Sequence, residues 1–329
     1  MKRTWFIGID ISKKTLDVVI YDQEKRSAKK HFVIPNDKKG FKEMMKALKK
    51  DGVKINEAFV CLEYCGIYGL EIGSFLQGKI DFCFVSPLHI KRSLGLTRGE
   101  NDKLDAYKIS RFCYLYRDEL IPATMDSEII LKLKNLMGER KRVIKASKTE
   151  KQVIKELSTQ LGKRTIKRAN KRLKSLQIDL KEIEKEIIEL LETNDLFYEN
   201  YKLLLSSTGI GLVNAVILII YSNNFEGITN ARSFACYFGV APFEYSSGTS
   251  IRGKTRVSNL ANKAIKADLT NAARSAIVHD NELKIYYKRK REEGKAHGTV
   301  INAVKFKIIA RAFAVIKRQT PFVKMRQAG

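Results

Sequence analysis

The chain has 329 residues, of which 62 are Lys or Arg and 36 are Asp or Glu, so its formal net charge is +26 at pH 7. This charge is far from the mild imbalance of an ordinary cytosolic enzyme and predicts a polyanionic partner. The basic residues occur in several segments, which favours nucleic acid over a membrane surface, and the most apolar run, 213–221, is too short to span a bilayer. The amino terminus lacks the apolar segment of a secretory signal, so we expect a cytoplasmic protein.

The first 125 residues carry alternating strand and helix patterns, which predict an α/β domain. β-rich runs and one helical stretch follow each other up to the Pro87 break. The strand patterns cover 5–11, 15–22, 30–34, 58–63 and 81–85, and the helical pattern covers 38–50.

Residues 126–195 contain almost no Gly or Pro and repeat apolar residues at helical spacing, so we expect two long helices with a turn near Gly162. The part 139–174 holds 14 Lys or Arg against 3 Glu, which indicates phosphate binding. The part 178–192 is balanced and amphipathic, and resembles a coiled-coil strand built for a partner helix. The predicted nucleic-acid contacts in this basic helical, coiled-coil domain are Arg140, Lys141, Arg142, Arg164, Lys167 and Arg168.

The last predicted domain, 196–323, is mainly helical. Near its start, the sequence Thr208 to Gly211 interrupts a helical pattern and is followed at once by an apolar helix. This arrangement resembles a helix-hairpin-helix, in which Gly209 and Gly211 would let the backbone approach a phosphate. A tight turn in a helical core would have the same sequence.

Four carboxylates lie where strand ends or a helix start could direct them to one point. Asp10 is on the first predicted strand, Glu63 ends a later strand, and Asp102 and Asp105 are spaced i and i+3 on a helix. Carboxylate oxygens are the ligands that Mg²⁺ prefers, and a pair of such ions supports phosphoryl transfer. A solvated surface role is the better interpretation of any one of them taken alone.

A second candidate site lies in residues 238–269. Ser246 and Ser247 precede Gly248 in a predicted loop, and a helix is predicted to begin near Asn259. A serine hydroxyl needs a base or a metal to become a nucleophile. Three cationic residues follow that could hold a phosphate. They are Arg252, Lys254 and Arg256. As a bare pattern this is equally typical of an ordinary turn.

Taken together, these motifs resemble the DEDD transposases of bacterial insertion sequences, a group that includes Piv-type DNA invertases and bridge-RNA-guided recombinases. The matching segments are GIDISKKTLDV, LEYCGIYG, NDKLDAYKIS, GIGLVNAVILI and the stretch from FGVAPFEYSSG to NKAIKADL.

The resemblance implies a RuvC-like domain of the ribonuclease H class, a helical coiled-coil domain and a C-terminal domain with a catalytic serine. The serine directly before glycine, Ser247, would be the nucleophile that forms a phosphoserine link, and Ser246 is the alternative. It further implies Mg²⁺ held by the four carboxylates, a structured noncoding guide RNA, donor and target double-stranded DNA, a homodimer or homotetramer, and a bacterial cytoplasm.

The leading interpretation is therefore an RNA-guided DNA transposase or recombinase that uses Ser247 and a carboxylate-bound Mg²⁺. Two alternatives remain open. One is a metal-dependent nuclease, such as a RuvC-like junction resolvase, in which the serine has no role. The other is a non-catalytic nucleic-acid-binding protein, whose binding would weaken steeply with salt and whose carboxylates would be surface residues.

Overall fold

The computed structural model describes residues 3–95, 101–157, 162–243, 246–247, 251–252, 256–257 and 261–323. The chain divides into two compact units, Met1–Met125 and Asp126–Gly329. The further division of the second unit near residue 195 stays a prediction. None of the described helices combines the length and the apolar character needed to cross a membrane.

The first unit is a mixed α/β fold, as the sequence predicts. Its strands are β1 (Trp5–Ile11), β2 (Thr15–Asp22), β3 (Ser27–Pro35), β4 (Ala58–Glu63) and β5 (Asp81–Val85). Its helices are α1 (Lys38–Lys50), α2 (Leu70–Leu76), α3 (Pro87–Leu94) and α4 (Asp102–Leu115). The third strand is longer than its apolar pattern of 30–34 indicates, because it pairs along most of β2.

The five strands form one sheet in the order β3-β2-β1-β4-β5. The first three strands are antiparallel, whereas β1, β4 and β5 run parallel. Alternate side chains of each strand point to opposite faces, and helices cover both faces of the central strands, whereas most of β3 is exposed. One face packs on α1 and α2 and the other on α3 and α4. The sheet therefore brings the carboxyl ends of β1 and β4 to the same edge.

The second unit is mostly helical. Its helices are α5 (Glu128–Leu157), α6 (Lys163–Glu192), α7 (Asp195–Leu205), α8 (Leu212–Ser222), α9 (Ala231–Tyr237), α10 (Lys263–His279), α11 (Asn281–Glu292) and α12 (His297–Arg318). Its short strands are β6 (Pro242–Phe243), β7 (Ser246–Ser247), β8 (Ile251–Arg252) and β9 (Arg256–Val257). The two long helices are present as predicted, and Gly162 is the residue just before α6.

The apolar face of residues 178–192 is buried inside the second unit. Ile183, Ile187 and Leu191 pack in one core with Ile130 and Leu133 of α5. Burial of these aliphatic side chains accounts for the amphipathic pattern without another subunit. The prediction that this face is kept for a partner helix therefore loses the observation on which it depends.

Candidate active site and nucleic-acid interface

Asp10 and Glu63 lie side by side at the carboxyl end of the parallel strands. In the register of β1 and β4, Ile9 is opposite Leu62, so the next residues on the two strands are Asp10 and Glu63. Neighbouring strands are about 4.8 Å apart, which is close enough for two carboxylates to share a cation. The sheet thus provides two of the four predicted acidic residues.

A glycine on β1 brings α4 to the same edge. A Cβ atom on Gly8 would lie 2.2 Å from the backbone nitrogen of Ser110 and 2.3 Å from the carbonyl oxygen of Ala106. Only glycine allows a helix backbone to approach a strand so closely. Because Asp10 is two residues further along β1, its side chain points to the face that α4 covers.

The start of α4 positions the other two carboxylates. The side chain of Asn101 accepts a hydrogen bond of 2.8 Å from the backbone N–H of Leu104, which fixes where the helix begins. Asp102 and Asp105 then fall in the first turn, where the helix dipole stabilises negative charge. Asp102 is exposed and Asp105 is half-buried.

The carboxylates are close enough to repel one another. Burial, followed by the negative charges of Asp102 and Asp105, raises the pKa of Asp10 from 3.8 to about 6. Burial, followed by Asp10 and Asp105, also raises the pKa of Glu63, and the nearby ammonium of Lys108 opposes this rise. The charges of Asp102 and Asp105 thus act on Asp10, which lies beside Glu63.

A lysine that the sequence reasoning did not single out belongs to the same site. The Nζ atom of Lys108 lies 2.7 Å from Oδ1 of Asp105, and the lysine side chain is 14% exposed. Its spacing of three residues from Asp105 on a helix could have revealed it. Lys108 supplies positive charge that the carboxylates would otherwise lack.

The donor chemistry of this site suits a divalent ion. All four carboxylates offer hard oxygen ligands, and their repulsion is the kind that a bound cation relieves. In the part of the chain that the structure describes, no group of three or more Asp, Glu, His or Cys side chains is already arranged to hold a metal. Asp10, Glu63, Asp102 and Asp105 are the residues that would hold such an ion.

Asp17 on β2 is not among the predicted site residues, yet it lies beside Asp10. It is opposite Asp10 in the register of β1 and β2, is 8% exposed, and contributes to raising the pKa of Asp10. Its Oδ1 atom lies 2.7 Å from Nε2 of His31 on β3. The short turn between the first two strands gives this pairing by simple hairpin counting, so the signal was present in the sequence.

The two candidate serines lie in a short β-ribbon instead of a loop. Ser246 pairs with Arg252 and Ser247 with Ile251, while Pro242–Phe243 pairs with Arg256–Val257. Antiparallel pairing satisfies backbone groups that a loop would leave to water. Lys254, Gly248 and Asn259 lie outside the described residues, and α10 begins at Lys263.

The two glycines of the predicted helix-hairpin-helix have different surroundings. Gly209 has a φ of +94°, and a Cβ atom there would lie 2.8 Å from Cβ of Ala276 and 2.9 Å from the carbonyl oxygen of Ala272. This glycine is required by packing against α10. Gly211 directly precedes α8. A Cβ atom there would meet nothing within 4 Å, so the space beside this residue is open.

The basic residues of α5 and α6 also divide into two groups. Arg140 is 17% exposed and donates to Oε1 of Glu184 at 2.9 Å, so it joins the two helices and is poorly placed for a phosphate. The other five are exposed, namely Lys141, Arg142, Arg164, Lys167 and Arg168. The last three line an open groove of about 590 Å³ along α6 together with Lys171 and Lys174.

Known proteins resemble this chain along most of its length. The model of DEDD transposases of the IS110 type, described as "Transposase", matches residues 7–162, and the model described as "Transposase IS116/IS110/IS902 family" matches residues 201–288. The pilin gene-inverting proteins of Moraxella bovis and Moraxella lacunata are each 24% identical over 328 residues, covering 97% of this chain and 98% of theirs.

Two shorter similarities complete the comparison. The "Insertion element IS110 uncharacterized 43.6 kDa protein" of Streptomyces coelicolor is 29% identical over 147 residues, which are 45% of this chain and 35% of that protein. The structure of T. thermophilus RuvC in complex with a Holliday junction substrate aligns with a TM-score of 0.28 at 12% identity, over 36% of this chain and 96% of that chain. A structural similarity at that level carries no argument about function.

The two family matches confirm the resemblance predicted from the motifs. The first match includes the carboxylates of Asp10, Glu63, Asp102 and Asp105, and the second includes the ribbon with Ser247. This chain therefore belongs to the IS110/IS116/IS902 family of DEDD transposases.

Proposed function

We propose that this transposase cuts and rejoins DNA with Ser247 as its nucleophile and with Asp10, Glu63, Asp102 and Asp105 as the ligands of Mg²⁺. The observation that carries the proposal is the repulsion within the carboxylate site, where the pKa of Asp10 is raised to about 6. A site that concentrates negative charge in this way favours a cation, and a phosphodiester is the substrate class that such a cation serves.

The attack by Ser247 would exchange one phosphoester bond for another. The serine oxygen forms a bond to phosphorus while the bond from phosphorus to the departing sugar oxygen breaks, and the serine proton leaves as the departing oxygen gains one. Bound Mg²⁺ would stabilise the negative charge that develops on the oxygens. Arg252, which is paired with Ser246, and Arg256, which is paired with Phe243, would hold the neighbouring phosphates.

The exposed basic residues of α5 and α6 would bind a structured guide RNA. Lys141, Arg142, Arg164, Lys167 and Arg168 lie on a paired helix surface, and a backbone-binding surface of this kind suits an A-form duplex. Base pairing by the guide would then select donor and target DNA, while the protein reads shape and charge. Sequencing the RNA that co-purifies with the protein should return one structured noncoding RNA from its own element.

Recombination must hold two DNA duplexes, so we propose that the active assembly contains at least two subunits. The buried face of 178–192 is not available for this contact, and another surface must provide it. Light scattering on the protein with RNA and DNA bound should give a dimer or a larger assembly, whereas monomers alone would contradict this part.

The decisive experiment is a search for a covalent protein-DNA adduct. Purified protein with its co-purified RNA and Mg²⁺ is incubated with labelled DNA that spans the element junction, and the products are separated under denaturing conditions. We expect an adduct with the wild type, none with Ser247→Ala, and an adduct with the matched control Ser246→Ala.

Other outcomes each assign a different chemistry. Loss of the adduct only in Ser246→Ala would move the nucleophile by one residue. Cleavage without an adduct, unchanged in Ser247→Ala but lost in Asp10→Asn, would mean a metal-dependent nuclease and would overturn the serine mechanism. Salt-sensitive binding with no cleavage at all would indicate a binding protein.

A further inference from the structure

An apolar pocket of about 750 Å³ lies in the second unit, where β6 and β9 meet the start of α12. Its size is within the range of small-molecule sites. Apolar side chains form most of its wall and a few polar groups lie among them. The lining residues that matter here are Arg232, Val240, Pro242, Val257, Asn302 and Phe306.

The orientation of the Asn302 amide follows from its partner. The Nζ atom of Lys305 lies 3.2 Å from Oδ1 of Asn302. An ammonium group can only donate, so the amide oxygen must face the lysine and the NH₂ group is turned away from it. Among the residues that the structure describes, the Asn302 NH₂ group has no recorded acceptor, so its two N–H donors can serve a ligand in the pocket that it lines.

Two other polar groups at the pocket also donate, and the hydroxyl of Thr299 can either donate or accept. The guanidinium of Arg232 has no acceptor atom. Ala296 and Gly298, at the first turn of α12, line the pocket too, and the backbone N–H groups of His297 and Gly298 have no acceptor within the helix. Donors of this kind, together with a positive charge, select a ligand that accepts hydrogen bonds and carries negative charge.

The charge behind the pocket has the same sign. Lys305 is 3% exposed, and burial, followed by the charges of Lys266 and Arg274, lowers its pKa to about 8. Lys305 thus lies among cations in the core of the second unit. An anion bound at Asn302 would be stabilised by this buried positive group through one intervening amide.

The wall of the pocket also includes residues that are close in the chain to the candidate nucleophile. Pro242 and Val257 pair with each other across β6 and β9, and Ser247 is five residues beyond Pro242. Five residues of chain span at most about 18 Å, which is roughly five nucleotide steps along one DNA strand. A strand attacked at the serine can therefore place a nearby nucleotide in the pocket.

We propose that this pocket binds one nucleotide of the attacked DNA strand, with its phosphate held by Arg232, Asn302 and the start of α12 and its base against Phe306. The inference rests on the proposed function for its choice of DNA strand. The pocket adds a positioning contact that holds the attacked strand a few nucleotides away from the bond that the serine breaks.

The test uses the full chain and a photo-crosslinking DNA probe. Wild type and variants are mixed with a short single-stranded DNA that contains iododeoxyuridine, irradiated, and digested, and the crosslinked peptide is identified by mass spectrometry. We expect a crosslink at Phe306, because an aromatic ring that stacks on the halogenated base is the group that captures it.

The principal variant is Asn302→Asp. The aspartate still accepts from Lys305, so the melting temperature should not fall, yet its charge would repel a phosphate and reduce the crosslink at least about fivefold. Asn194→Asp, at the cap of α7 and outside the pocket lining, makes the same charge change and should leave the crosslink unchanged. Gly298→Val is a second variant, because a Cβ atom there meets nothing within 4 Å and would only narrow the pocket.

Each result decides the matter. A crosslink at Phe306 that is lost in Asn302→Asp or in Gly298→Val supports the pocket, and it should persist in Ser247→Ala, where no adduct can form. Absence of the crosslink, or equal yields in all variants, would overturn it. Capture at Phe306 by iodouridine RNA but not by DNA would give the pocket to a guide and overturn the DNA assignment. If wild type forms no covalent serine adduct but still forms the crosslink at Phe306, the proposed recombination chemistry is wrong and the proposed nucleotide pocket is retained.

Discussion

The carboxylate site should destabilise the fold that carries it, and the substitution Asp10→Asn tests this directly. The pKa of Asp10 is raised from 3.8 to about 6, first by burial and then by Asp102 and Asp105. At about 1.4 kcal/mol per pH unit, this displacement corresponds to about 3 kcal/mol for the fully ionised group. Solvent screening of a half-buried site reduces that value. The free energy of unfolding of Asp10→Asn should therefore exceed that of the wild type by about 1 to 2 kcal/mol at pH 7.

The same shift gives the pH dependence and its sign. Because the folded chain holds the Asp10 proton more tightly than the unfolded chain, the free energy of unfolding from this group is highest below its ordinary pKa. It should fall as pH rises from about 4 to about 6 and stay level above that. In Asp10→Asn the contribution of Asp10 should be absent and the fall should be smaller, with the remainder due to Glu63, whose pKa is raised mainly by burial.

The measurement is urea unfolding of wild type and variant across that pH range, with Asp81→Asn as the matched control. Asp81 begins β5 of the same sheet and is exposed, so its removal should leave the pH dependence unchanged. Added Mg²⁺ should stabilise the wild type more than Asp10→Asn. An Asp10→Asn protein that is less stable than wild type at pH 7, or that keeps the same fall in stability, would refute the electrostatic reasoning.

Two further predictions concern the approach of α4 and the basic groove. Gly8→Ala would place a methyl group 2.2 Å from the backbone nitrogen of Ser110, so we expect a loss of about 2 to 4 kcal/mol in urea unfolding and loss of DNA cleavage. Gly211→Ala has no such neighbour, and equal losses in both variants would contradict the packing argument. Replacing Arg164, Lys167 and Arg168 by Gln should reduce the slope of log K against log salt concentration for RNA binding, by the amount that about three phosphate contacts contribute. An unchanged slope would place the RNA elsewhere.

The positions of the four carboxylates could be predicted from the sequence because each acidic residue is tied to a local element. Their role as metal ligands stays a prediction. Strand alternation places Asp10, the apolar run of β4 ends at Glu63, and helical spacing joins Asp102 to Asp105. Each of these patterns can be read within about ten residues. Local periodicity therefore carries most of the information about the first unit.

Features that depend on contacts between distant elements were missed or misassigned. Pairing along β2 reveals Asp17 as a neighbour of Asp10, and the fold of α5 on α6 turns Arg140 toward Glu184. The amphipathic segment of α6 has the same pattern whether it meets α5 or another subunit. Periodicity identifies the face that is buried, but it does not identify what covers that face.

The contact between Gly8 and α4 has a consequence for the comparison of this chain with related sequences. Related sequences can be compared with this chain position by position. A related sequence that retains all four carboxylates and the serine keeps every proposed catalytic residue. If it encodes another residue at the position of Gly8, the backbone atoms of Ala106 and Ser110 leave no room for the side chain. Such a sequence is expected to be inactive, because α4 cannot pack against β1. One position outside the proposed catalytic residues therefore distinguishes active sequences from inactive ones.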